Sequence, residues 1–97
     1  MIIRYRERAV ADIDEIYRYL RERSPVGAEN VLRQIRVSVE FIAEQPLSSP
    51  KTDVPNVRVK IVRRYRYKIF YEIVEDVVEI VHVRHTSRRP WDAKSTD

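Results

Sequence analysis

A chain of 97 residues with 19 Lys and Arg against 15 Asp and Glu, a net charge of +4 and no cysteine has room for one modest core and not for two. It excludes a disulfide framework and thiolate metal sites, which suits a reducing cytosol. No apolar run approaches the roughly 20 residues of a membrane span, and the opening "MIIRYRERAV" lacks the apolar region of a secretion signal, so residues 1–97 are expected to form a single cytoplasmic domain.

"MIIRY" is a short β-branched opening that reads as a strand. From Glu7 the period changes. Ala9, Val10, Ile13, Ile16, Tyr17 and Leu20 recur at helical spacing, with acids (Glu7, Asp12, Asp14, Glu15) at the front and Arg18, Arg21 and Arg23 at the end, as the helix dipole favours. A helix over 7–23 is predicted. Ser24-Pro25 ends it and starts the next, because Pro25 suits a first turn and Ser24 an N-cap. Ala28, Val31, Leu32, Ile35, Val39 and Ile42 form the second apolar stripe, which stops before Pro46. Gly27, the only glycine, lies in the tight connection, where it would let the two helices approach.

Pro46 to Asn56 is a polar, Pro-rich loop. Three β-rich segments follow, Val57 to Arg63, Arg66 to Val74 and Val77 to His85, with Glu75-Asp76 as a short hairpin turn between the last two. The predicted order is β-α-α-β-β-β, an α+β domain in which a three-stranded antiparallel meander, joined by the N-terminal strand, carries both helices on one face.

Charge is unevenly spread along this plan. Residues 1–45 hold eight basic and eight acidic side chains, so the whole excess lies in the second half. Strand alternation assigns Tyr67, Ile69, Tyr71 and Ile73 to the helix side, with Val57, Val59 and Ile61 beside them. That puts Arg58, Lys60, Arg66 and Lys68 on the open face and Arg63, Arg64 and Tyr65 at the hairpin tip. Like charges this close are relieved by sharing an anion, either a nucleic-acid backbone or an acidic protein segment. No Walker loop, metal-ligand cluster or nucleophile motif is present, and neither His82 nor His85 has an acidic partner at a useful spacing. No cofactor or metal is expected.

The β-α-α-β-β-β order, the helix connection "ERSPVGAEN" and the stretch "RYRYKIFYEIVEDVVEIVHVRHTSR" resemble the RelE/ParE superfamily of bacterial toxins. Two motifs carry the resemblance. Arg66-Tyr67-Lys68-Ile69-Phe70-Tyr71 follows the superfamily's core strand of basic, aromatic, basic and aliphatic residues, and "VRHTSRRPWD" is similar to the V-x-H-x-x-R ending of ParE-like members. The resemblance implies the toxin of a type II toxin–antitoxin module of the plasmid-stabilisation kind, bound by the C-terminal segment of a cognate antitoxin.

The superfamily divides into two mechanisms. RelE-like members cut mRNA on the ribosome, whereas ParE-like members poison DNA gyrase without covalent chemistry of their own. For a nuclease, the resemblance points to Lys60, Lys68, His85, Arg88 and Trp91: Lys68 falls where the core strand carries an Arg, and Arg88 and Trp91 are near a C-terminal Arg and Tyr. Val59 and Ile61 flank Lys60 where that pattern wants basic residues alternating on one face, which leaves the general base in doubt. The ParE-like reading is therefore preferred. It needs only a binding surface, for which Arg58, Arg63, Arg64, Tyr65, Arg66, Arg84, Arg88 and Arg89 are the candidates toward gyrase or the antitoxin.

Overall fold

A computed structural model describes residues 1–86 of the chain. It contains β1 (Ile2–Tyr5), α1 (Glu7–Arg23), α2 (Pro25–Glu44), β2 (Val57–Val62), β3 (Tyr67–Val74) and β4 (Val77–His85). The sheet runs β1-β4-β3-β2; β2, β3 and β4 form the antiparallel meander, and β1 joins its outer edge parallel to β4. The expected α+β architecture is therefore present, with a parallel pair at one edge.

Each helix buries one stripe. On α1 it is Ala9, fully buried, with Ile13, Ile16 and Leu20 packed beside it. Val10, expected in that stripe, is one residue out of phase with it and stays 55% exposed. On α2 the stripe is Ala28, Val31, Ile35, Val39 and Ile42, joined by Ser38. Tyr17 donates to Glu29 Oε1 at 3.0 Å, which fastens the two helices near their connection. Ser24 caps α2 as expected, accepting from the Gly27 amide at 3.0 Å. A Cβ on Gly27 would lie 3.1 Å from Ser24 Oγ. The glycine therefore makes room for the cap, rather than for the neighbouring helix.

The sheet meets these stripes with Val62, Tyr67, Ile69, Tyr71, Val78, Ile80 and Val83. Tyr71 is fully buried, and its hydroxyl donates to the Pro46 carbonyl at 2.7 Å, tying the loop after α2 to the central strand. That loop then runs along the outer edge of β2. Val59 N donates to Pro50 O at 3.0 Å, and Thr52 N to Val57 O at 2.9 Å, covering the first half of an edge that would otherwise invite pairing.

Three turns hold non-glycine residues in the left-handed region, the first through Asn56 (φ 65°) just before β2. Arg64 (φ 75°) and Arg66 (φ 57°) shape the β2–β3 turn, and Glu75 (φ 57°) the β3–β4 turn. Such residues cost about 1 kcal/mol or more each. Register also shifts once: Phe70 faces His82 but Tyr71 faces Ile80, so Val81 is an extra residue on β4. The bulge lies where β1 stops, beside Ile80.

Candidate functional site

Register decides which side chains share a face, because residues directly opposite in an antiparallel pair point the same way. Val62 faces Tyr67, Lys60 faces Ile69, and Arg58 faces Tyr71. Tyr67, Ile69 and Tyr71 belong to the core. Arg58 and Lys60 therefore lie on the helix side, which corrects the expectation that they share the open face with Lys68. Val57, Val59 and Ile61 lie on the open face instead. The reason is that β2 is an edge strand over the end of α2, where long basic side chains can run along apolar surface and reach a polar partner. Lys60 Nζ sits 4.4 Å from the centre of the Phe41 ring. Arg58 Nη1 donates to the carbonyls of Ser49 at 2.7 Å and Leu47 at 3.3 Å.

The open face has two electrostatic halves. Toward the β3–β4 turn, Glu72 faces Glu79 directly, a repulsive arrangement unless a cation intervenes. Arg6 is that cation. Its guanidinium lies 2.7 Å from Glu72 Oε2 and from Glu79 Oε1, and Arg4 adds a bond to Glu79 at 3.0 Å. The Arg6 hydrogen bond holds the Glu79 carboxyl below its ordinary value; partial desolvation opposes this and Arg4 adds to it. Toward the β2–β3 turn the face is basic. Lys68 faces Arg84, and Arg63, Arg64 and Arg66 are exposed in the turn, with Tyr65 half-buried against the core. Arg84 is only 5% exposed.

At the free edge of β4, past the end of β1, α1 supplies a feature that was not expected. Asp12 Oδ2 is 2.5 Å from His82 Nδ1 and accepts from the Val83 amide at 3.0 Å, while Arg8 donates to its second oxygen at 3.2 Å. His82 thus has the acidic partner its sequence neighbourhood lacks, supplied from 70 residues away. His82 also stacks on Phe70, with ring centres 6.1 Å apart, and His85 meets Tyr67 edge-on at 5.2 Å. Asp12, Tyr67, His82, Arg84 and His85 border a cavity of about 460 Å³ between α1 and β4, floored by Ile16, Leu20 and Val83. Burial pushes the Tyr67 phenol up, and the nearby Tyr19 adds to the effect.

Of the nuclease candidates, Lys60 and His85 lie on the helix side and Lys68 on the open face. Arg88, Arg89 and Trp91 fall outside the described residues. Among the described residues no group of three or more His, Cys, Asp and Glu could hold a metal ion, and no helix is long and apolar enough to cross a membrane. Asp12, Arg6, Glu72 and Glu79, which organise the charged parts of the site, were not singled out from the sequence.

A helix hairpin laid over a β1-β4-β3-β2 sheet, with a basic β2–β3 turn, defines a toxin of the RelE/ParE fold. The chain belongs to the family of ParE toxins of type II toxin-antitoxin systems (parDE), whose model matches residues 3–90. It is 32% identical over 87 residues to a Sinorhizobium fredii protein named "Putative toxin Y4kP", a match covering 90% of each chain. The chromosomal ParDE toxin-antitoxin system of P. aeruginosa superimposes with a TM-score of 0.80 at 19% identity, over 90% of this chain and 97% of that one. The intact E. coli RelBE toxin-antitoxin complex does so at 0.65 and 18%, over 90% and 98%.

Proposed function

We propose that this toxin is held by a cognate antitoxin and, once released, inhibits DNA gyrase by binding it, without covalent chemistry of its own. The observation that carries this reading is the separation of Lys60 and Lys68. Cleavage of RNA needs a base, a phosphate clamp and an acid within hydrogen-bond reach of one phosphate. Here Lys60 reaches over Phe41 toward α2, while Lys68 stands on the opposite side of the sheet. His82 has its Nδ1 committed to Asp12. Such an arrangement suits a recognition surface better than a reaction centre.

An antitoxin segment is supported by similarity to the ParDE and RelBE assemblies and by apolar surface on α2 and the loop after it. Val37, Phe41 and Leu47 are 51%, 41% and 69% exposed. An amphipathic segment would bury such side chains.

The test is a supercoiling assay with purified toxin and gyrase. Inhibition, reversed by the product of an adjacent antitoxin gene and accompanied in cells by a DNA-damage response, is the expected result. Prompt translation arrest with mRNA cut on ribosomes, and gyrase unaffected, would establish the nuclease instead.

A further inference from the structure

Several arginines have polar partners among the described residues, while Arg21 and Arg36 are exposed on the helices without a side-chain hydrogen bond or ion pair there. Arg4, Arg6, Arg8 and Arg18 are paired with carboxylates. Arg23, Arg33 and Arg58 donate to side-chain or backbone carbonyls. Arg63, Arg64 and Arg66, three of the four residues in the β2–β3 turn, are exposed and make no side-chain hydrogen bond or ion pair with a described residue. Two of them occupy left-handed backbone that glycine or asparagine would adopt with less strain. The turn therefore combines clustered charge that no described residue neutralises with a backbone conformation unsuited to arginine. Unfavourable local choices that persist point to function.

We infer that the β2–β3 turn is a docking point for the phosphate backbone of duplex DNA, contacted through Arg63, Arg64 and Arg66. The inference rests on the gyrase reading, since a gyrase inhibitor works beside the DNA that gyrase holds. Two features favour phosphate over an acidic peptide. Arg63 and Arg64 line both concavities that flank the turn, one of about 590 Å³ shared with Gln34 and one shared with Ile61, Val62, Arg66 and Thr86. Guanidinium forks match phosphate oxygens two at a time. A two-stranded ribbon ending in a four-residue turn is also narrow enough to approach a DNA groove about 12 Å wide. Thr86 N donates to Arg66 O at 2.7 Å, which anchors the end of the turn to the chain beyond β4 and gives the arginines a fixed base.

The experiment measures binding of the full-length toxin to a short fluorescent DNA duplex of mixed sequence, as a function of salt and without gyrase. The variant is Arg63→Gln/Arg64→Asn/Arg66→Gly, in which Asn and Gly fit the left-handed backbone, so that loss of binding cannot be ascribed to loss of folding; its thermal midpoint should equal or exceed that of the wild type. Three phosphate contacts correspond to about 2.7 in the slope of log affinity against log salt, or about 40-fold between roughly 50 and 200 mM. The wild type is expected to show that excess sensitivity and the variant to lose it. Equal slopes for the two proteins would overturn the inference. So would tighter binding to an RNA duplex of the same sequence, or displacement of DNA by polyglutamate at equal charge, which would make the partner an acidic protein. Because gyrase is absent, arginine-dependent DNA binding without gyrase inhibition would discredit the gyrase reading alone, and gyrase inhibition with unchanged slopes would discredit the docking point alone.

Discussion

Asp12 of α1 grips His82 of β4 through one carboxylate oxygen, and the same oxygen takes the Val83 amide 3.0 Å away. The contact stands just past Ile80, where the pairing of β4 with β1 ends. One side chain thus does for the free end of β4 what a neighbouring strand does for the rest.

This makes Asp12 a stability residue. Removing the acceptor leaves the Val83 amide in a largely buried place without its partner, a loss worth about 1–3 kcal/mol. Asp12→Ala should lower the unfolding free energy by about 2 kcal/mol in urea titration, with Asp12→Asn intermediate because one acceptor oxygen remains. A change below about 0.5 kcal/mol, as for ordinary surface positions, would show that the contact carries little.

Acid should loosen the other end of β4, where it pairs with β1. Hydrogen bonding from Arg6 holds the Glu79 carboxyl below its ordinary value, so its folded value lies below its unfolded one. The stabilisation is then complete above the unfolded value, about pH 4 for glutamate, and disappears as pH falls through the folded value. Glu79→Gln should be less stable than the wild type at pH 7, and the gap between their thermal midpoints should close in acid. A gap that stays constant from neutral pH into strong acid would mean that the charge of Glu79 contributes nothing.

Lys60 and Lys68 should behave as separate positions. A nuclease acting through a shared set would lose its activity on replacing either one. As contacts on opposite sides of the sheet, they should each contribute in the range of exposed ion pairs, about 0.2–1 kcal/mol, or less than about 6-fold. Gyrase inhibition titrations with Lys60→Gln and Lys68→Ala should shift by no more than this, and the double variant should show the product of the two shifts. Loss of activity by more than about 100-fold on Lys68→Ala alone would speak for catalysis.

Much of the fold was legible in the residues because several local signals agreed. Acidic and basic ends, a Ser-Pro junction and a clear apolar stripe fixed α1 at Glu7–Arg23, and the Glu75-Asp76 turn put β4 at Val77–His85. The phase of β2 was not legible. Val57, Val59 and Ile61 alternate so cleanly with Arg58 and Lys60 that the apolar set looks like the core face. Yet at an edge strand the long basic residues can lie over a helix while valines take the open side. Asp12 and His82 were out of reach for a different reason, since no local pattern joins positions 70 residues apart. The Glu72–Glu79 pair, by contrast, was available: counting outward from Glu75-Asp76 sets those carboxylates opposite each other, and such a pair calls for a cation like Arg6.

The pairing of β1 with β4 also bears on how this toxin is made. Ile2 can find Val77 and Tyr5 can find Ile80 only after almost the whole described chain has left the ribosome. Until then the nascent N-terminal strand has no sheet to join, although the helix hairpin can already form from local contacts. A growing polypeptide therefore spends most of its synthesis without the completed sheet. A message broken before the codons of β4 yields a product that lacks the partner strand of its own first residues. Among the described residues, the strand made last is the one that completes the sheet.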